Sequence, residues 1–247
     1  ATATFVRAHP DRLIGFMSIH PFDVHCMEEF ERCRTDLDMR GVKLGANYQN
    51  FDPFDVRALA IYEEAQRHGL PLMLHQGTSP VRAAPIRHAH PLLIDELAIR
   101  YPDLTIIMAH LGHPWQVETC VVIRKHPNVY ADISALHYRP WQFYNSLMLV
   151  QEYGVWQKVL FGTDFPFTTV DATLDGLNPN TPELIRVAVT NCEALRERLA
   201  SGQVSRASKR DLTTYEGLCR FVLYMKHEDD FMELVAVAGA QAVTLAD

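Results

Sequence analysis

Three side chains in this chain of 247 residues occupy positions that invite chemistry. His75, His110 and Asp164 each stand at or just past the end of a short apolar run, at residues 70–74, 104–109 and 159–163. Imidazole nitrogen and carboxylate oxygen are the ligand set of zinc and similar divalent ions at catalytic sites. The same groups move protons near neutral pH. A lone histidine after a strand is ordinarily a hydrogen-bonded loop residue, and a lone aspartate ordinarily caps the next helix. Three such residues at the same end of three strands point instead to one shared site. A catalytic zinc takes three protein ligands plus water, so this set is one or two ligands short.

The elements that must position these groups alternate regularly. Apolar runs at 13–19, 42–46, 70–74, 104–109, 129–133 and 159–163 read as six strands. Between them, amphipathic spacing predicts helices at 23–39, 52–69, 91–101, 116–125 and 141–153, with residues 1–9 as the tail of an earlier helix. Strand and helix alternating with short connections is the pattern of a parallel sheet covered by helices. In such sheets and barrels, ligands collect at the carboxyl ends of the strands, where His75, His110 and Asp164 stand. Past residue 171 the pattern loosens, with helices expected at 181–199, 215–226 and 230–245 and a polar linker at 201–209. The expected division is a sheet unit over 1–170 and C-terminal helices over 171–247 that pack on it or on a second subunit.

The totals exclude several classes. A net charge of −7 argues against a nucleic-acid surface. Nothing approaches the roughly 18 apolar residues of a membrane span, and no signal segment opens the chain. Five cysteines, odd in number and without a C-x-x-C pair, fit reduced thiols and a cytoplasmic setting.

Four motifs carry a family resemblance: PLMLH at 71–75, IIMAHLG at 106–112, PNVYAD at 127–132 and FGTDFP at 161–166. Together, in order over residues 10–167, they resemble the amidohydrolase-2 family. That family includes aminocarboxymuconate-semialdehyde decarboxylase, related aromatic-acid decarboxylases and lactone hydrolases. The resemblance implies a (β/α)8 TIM barrel with one divalent metal at its carboxyl face, zinc as first choice and manganese as second. By the same resemblance, His75 and Asp164 are metal ligands and His110 is the histidine beside the metal. Asp164 would serve as both ligand and proton acceptor. The implied activity is hydrolysis of a lactone, ester or amide, or non-oxidative decarboxylation, of a small carboxylate substrate. A homodimer is the implied assembly.

The family's first strand carries His-x-His, which supplies two further ligands, and no early strand here delivers that motif. His88 and His90 have the spacing but lie in a loop; His20 and His25 fall at a strand end and a helix start. Six strands against the eight of a closed barrel, and a start on a helix tail, lead us to expect a natural protein with about 60–90 further residues upstream. Arg139 is expected to hold a substrate carboxylate bidentately. Trp115 and His113 are expected to wall the pocket, Lys43 to be an ion-paired lysine inside the sheet, and Asp132 to pair there too. The competing reading is a catalytically degenerate barrel kept as a binding or assembly module.

Overall fold

The computed structural model of the chain describes residues 2–176. The helices expected beyond 180, the linker at 201–209, and Cys192 and Cys219 lie outside these residues. Element order is α1 (Thr2–Ala8), β1 (Phe16–Met17), α2 (Cys26–Thr35), β2 (Gly41–Leu44), α3 (Val56–Arg67), β3 (Leu72–Leu74), α4 (Leu92–Arg100), β4 (Ile106–Met108), α5 (Gln116–Lys125), β5 (Val129–Asp132), α6 (Pro140–Tyr153), β6 (Val159–Leu160) and α7 (Val170–Gly176). The six strands form one sheet in chain order, every neighbouring pair parallel. These are six consecutive strand–helix units of the barrel expected from the sequence.

Helices start later than the sequence suggested at two places, for one local reason. Asp23 and Asp52 were expected to open α2 and α3. Each instead accepts a backbone N–H two residues on, His25 at 2.9 Å and Phe54 at 2.8 Å, and so makes a turn before the helix begins. The side-chain cap of α3 is Asp55, which accepts from the Arg57 N–H at 3.0 Å. At the far end of α6, Gly154 takes φ +63° and closes the helix with bonds from Gly154 and Val155 N–H back to Gln151 and Val150.

Strand alternation sorts the side chains into two layers. Val42, Leu44, Leu72, Leu74, Ile106, Met108, Val129, Ala131 and Val159 join the large core against the helices. Ile107, Tyr130 and Leu160, with Met73 against them, form a small separate cluster on the other face. Lys43 pairs in register with Met73, which pairs with Ile107, which pairs with Tyr130. A lysine therefore stands in the inner layer of an otherwise apolar row. The three cysteines among the described residues, Cys26, Cys33 and Cys120, are buried and unpaired. No helix among the described residues is long and apolar enough to cross a membrane.

Candidate active site

Two residues beyond the inner layer, the same alternation delivers the polar groups. Met73 is followed at that spacing by His75, Tyr130 by Asp132, and Leu160 by Gly162 and Asp164. The period of two that buries Met73 and Tyr130 thus aims an imidazole and two carboxylates at the carboxyl end of the inner face. At β4 the device is different. His110 and Leu111 adopt φ +59° and +47°, so the chain turns sharply within a 3-10 segment, Ala109–Gly112. Asp164 also has positive φ, +65°. Left-handed backbone at non-glycine residues costs on the order of 1–3 kcal/mol each and collects at functional sites. Two of the three side chains singled out from the sequence carry it.

The groups are wired together. His110 Nδ1 lies 2.7 Å from Ser134 Oγ, and its Nε2 lies 3.2 Å from His75 Nδ1. His75 Nε2 lies 3.2 Å from the Thr78 carbonyl oxygen. Asp132 Oδ1 accepts the His110 N–H at 3.0 Å and the Ser134 N–H at 2.9 Å. Burial, more than the neighbouring His110 and Lys43, pushes His75 down to about 3, so its imidazole is neutral at ordinary pH. Burial also pushes Lys43 down, against the pull of the Asp132 and Asp164 carboxylates.

His75, His110, His113, Arg139 and Asp164 all line one cleft of about 690 Å³, a size suited to a small organic substrate. Five of the six residues singled out from the sequence therefore meet. Trp115 does not line the cleft; its ring packs on His90 with centroids 4.6 Å apart. His113 Nδ1 accepts from the Gln116 side-chain NH2 at 2.8 Å. Arg139 stacks over the Tyr138 ring at 4.3 Å, with that ring and Phe167 exposed at the mouth. The alternative ligands stand elsewhere: His20 Nε2 meets the Gln49 carbonyl at 3.0 Å, His25 pairs with Glu28, and His88 is buried in the 3-10 segment Ile86–Ala89. Sequence reasoning missed Ser134, Tyr48 and Gln76. An Asp-x-Ser at the end of β5 was the available signal for Ser134.

The donors fit a divalent ion in kind, a neutral imidazole and a carboxylate facing one cleft beside a second histidine. In number, His75 and Asp164 make two of the three protein ligands a catalytic zinc takes. Among the described residues, the group with three converging ligand atoms is Glu31, Glu64 and His68, on α2 and at the end of α3. There Glu31 pairs with Arg34 and Glu64 with Arg67, so the cluster reads as a surface ion network.

Comparison with known proteins agrees with this architecture. The amidohydrolase family model matches residues 1–186. An uncharacterized TIM-barrel protein from Bordetella bronchiseptica superposes with a TM-score of 0.68 at 23% identity, covering 83% of this chain and 72% of its own. A dihydroxybenzoic acid decarboxylase from Polaromonas, with bound manganese and 2-nitroresorcinol, gives 0.57 at 20% identity over 79% and 72%. A probable 2-pyrone-4,6-dicarboxylic acid hydrolase from Acinetobacter baumannii, with citric acid bound, gives 0.51 at 14% identity over 90% and 77%. At these identities the likeness shows a shared fold. No curated protein matches the chain in sequence.

Proposed function

Because the chain belongs to the amidohydrolase family over residues 1–186, we propose that it is a metal-dependent enzyme that decarboxylates a small aromatic or conjugated acid without oxidation. The observation that carries this reading is the convergence of His75, His110, Asp164 and Arg139 on one cleft. His75 and Asp164 would hold a divalent ion, zinc or manganese, which when bound supplies Lewis-acid polarisation of the substrate. Manganese stands in the decarboxylase of the same fold from Polaromonas.

The chain's own residues account for the remaining work. Arg139 has a planar fork of donors that suits a carboxylate, and its stacking on Tyr138 limits where that fork can point. Tyr48, Tyr138 and Phe167 give the cleft aromatic walls against which a flat substrate packs. His110, once protonated at Nε2, would hand that proton to the carbon that loses carbon dioxide. In that step the bond from carbon to carboxylate breaks, its electron pair stays on the carbon, and the carbon takes the proton. Carbon dioxide leaves.

The test is a panel of hydroxylated aromatic acids, conjugated enoic acids and lactones, offered to protein supplemented with zinc or manganese. Release of carbon dioxide with solvent deuterium entering the product supports decarboxylation. Acid release without carbon dioxide would replace it with hydrolysis, the activity named for the Acinetobacter relative. No turnover with either metal would favour a binding or assembly module.

A further inference from the structure

The hydrogen-bond polarity around His110 is set from one end. Asp132 Oδ1 already accepts two backbone N–H groups, from His110 at 3.0 Å and Ser134 at 2.9 Å. The Ser134 hydroxyl is in very close contact with the same oxygen and so donates its single proton there. With that proton committed, Ser134 Oγ can only accept from His110 Nδ1, 2.7 Å away. A second contact requires the same thing independently. The Ser134 carbonyl oxygen, which can only accept, lies 3.3 Å from Nδ1. Nδ1 therefore carries a hydrogen, and in the neutral ring Nε2 is left with the lone pair.

We infer that Ser134 is a positioning residue that fixes His110 as the Nδ1–H tautomer, so that its basic nitrogen, Nε2, faces His75 and the cleft. The inference rests on the proposed role of His110 for its consequence, but not for its geometry. A histidine's reactive nitrogen is set by the bond its other nitrogen makes. Here a carboxylate sets it through a hydroxyl rather than directly. When Nε2 takes up a proton the imidazolium keeps its Nδ1–H on Ser134, and Asp132 remains an acceptor throughout.

The contacts continue one residue further: Nε2 of His110 lies 3.2 Å from Nδ1 of His75, and Nε2 of His75 lies 3.2 Å from the Thr78 carbonyl oxygen.

The experiment reads the tautomer directly. Nitrogen-15 spectra of the histidine side chains are recorded for the full chain with zinc and with chelator, His110 being assigned by its loss in His110→Gln. The wild type is expected to show protonated Nδ1 and bare Nε2. Ser134→Ala is expected to shift His110 toward the Nε2–H form, and Ser134→Thr, which keeps the hydroxyl, to restore Nδ1–H. A wild-type His110 protonated at Nε2 alone overturns the inference whether or not the variants fold. A Ser134→Ala protein with an unchanged tautomer overturns it as well. Once a substrate is found, Ser134→Ala is expected to lower kcat by on the order of 10- to 100-fold with KM nearly unchanged. Failure of the proposed reaction would leave the spectra to decide the positioning role alone.

Discussion

Nε2 of His110 lies 3.2 Å from Nδ1 of His75, joining the ends of two adjacent strands through two ring nitrogens. The contact depends on two different backbone devices. His75 arrives by strand alternation from Met73, and His110 by a left-handed turn directly after β4. Neither ring can move without disturbing the other, because Ser134 and the Thr78 carbonyl hold the outer nitrogens.

Arg139 is the guanidinium that lines the cleft, and its proposed task is the substrate carboxylate. Replacing it by lysine keeps the charge and loses the planar fork. Arg139→Lys should reduce kcat/KM about 10-fold and Arg139→Ala about 100-fold, mostly through KM. Steady-state kinetics on the active acid check this. An unchanged KM in both variants would place the carboxylate elsewhere.

Gly77 shapes the loop that follows His75. Its φ is +88°, and a Cβ there would lie 1.9 Å from the His113 carbonyl oxygen, which also accepts the Thr78 N–H at 2.7 Å. Gly77→Ala combines left-handed strain with a backbone clash, so it should cost at least ~2 kcal/mol. Denaturant unfolding measures the loss. A variant as stable as the wild type would show that the loop readily adopts another path.

Acid should loosen the packing of α4 on α5. Asp95 sits between Lys125 at 2.8 Å and His126 Nε2 at 2.6 Å. Burial alone would raise its carboxyl, but the hydrogen bonds from Lys125 and His126, with the Lys125 charge, more than offset this and hold it below the usual range. A depressed aspartate contributes stability that is present above its unfolded value, about 3.9, and is lost as pH falls through the folded value. Asp95→Asn should therefore be less stable than wild type at pH 7, by about 1 kcal/mol or less, and the gap should close below pH 4. Thermal melts across pH 2.5–7 test it, and a gap that persists at the acid end would contradict it.

Much of this was legible in the sequence because period-two burial is visible there. Uninterrupted apolar runs such as Ile106–Met108 identify strands buried on both faces, and the residues just beyond them identify the site end. Helix starts were less legible, since Asp23 and Asp52 carry capping chemistry yet spend it on turns before the helix. Trp115 stands five residues after His110 in the sequence, but the fold carries it away from the cleft. The two positive-φ residues His110 and Leu111 turn the chain, and the indole packs on His90. The Asp-x-Ser spacing brings the Ser134 hydroxyl to the end of β5, but the direction of its hydrogen bonds is not legible in the sequence.

The central claim is that His75 and Asp164 hold a divalent metal at the carboxyl end of the sheet. Metal content by plasma mass spectrometry, on protein equilibrated with zinc or manganese and desalted, tests it most directly. The account predicts near-stoichiometric metal in the wild type and its loss in both His75→Ala and Asp164→Ala, with Glu31→Gln unaffected. Metal retained in both cleft variants, or lost instead in Glu31→Gln, would contradict it.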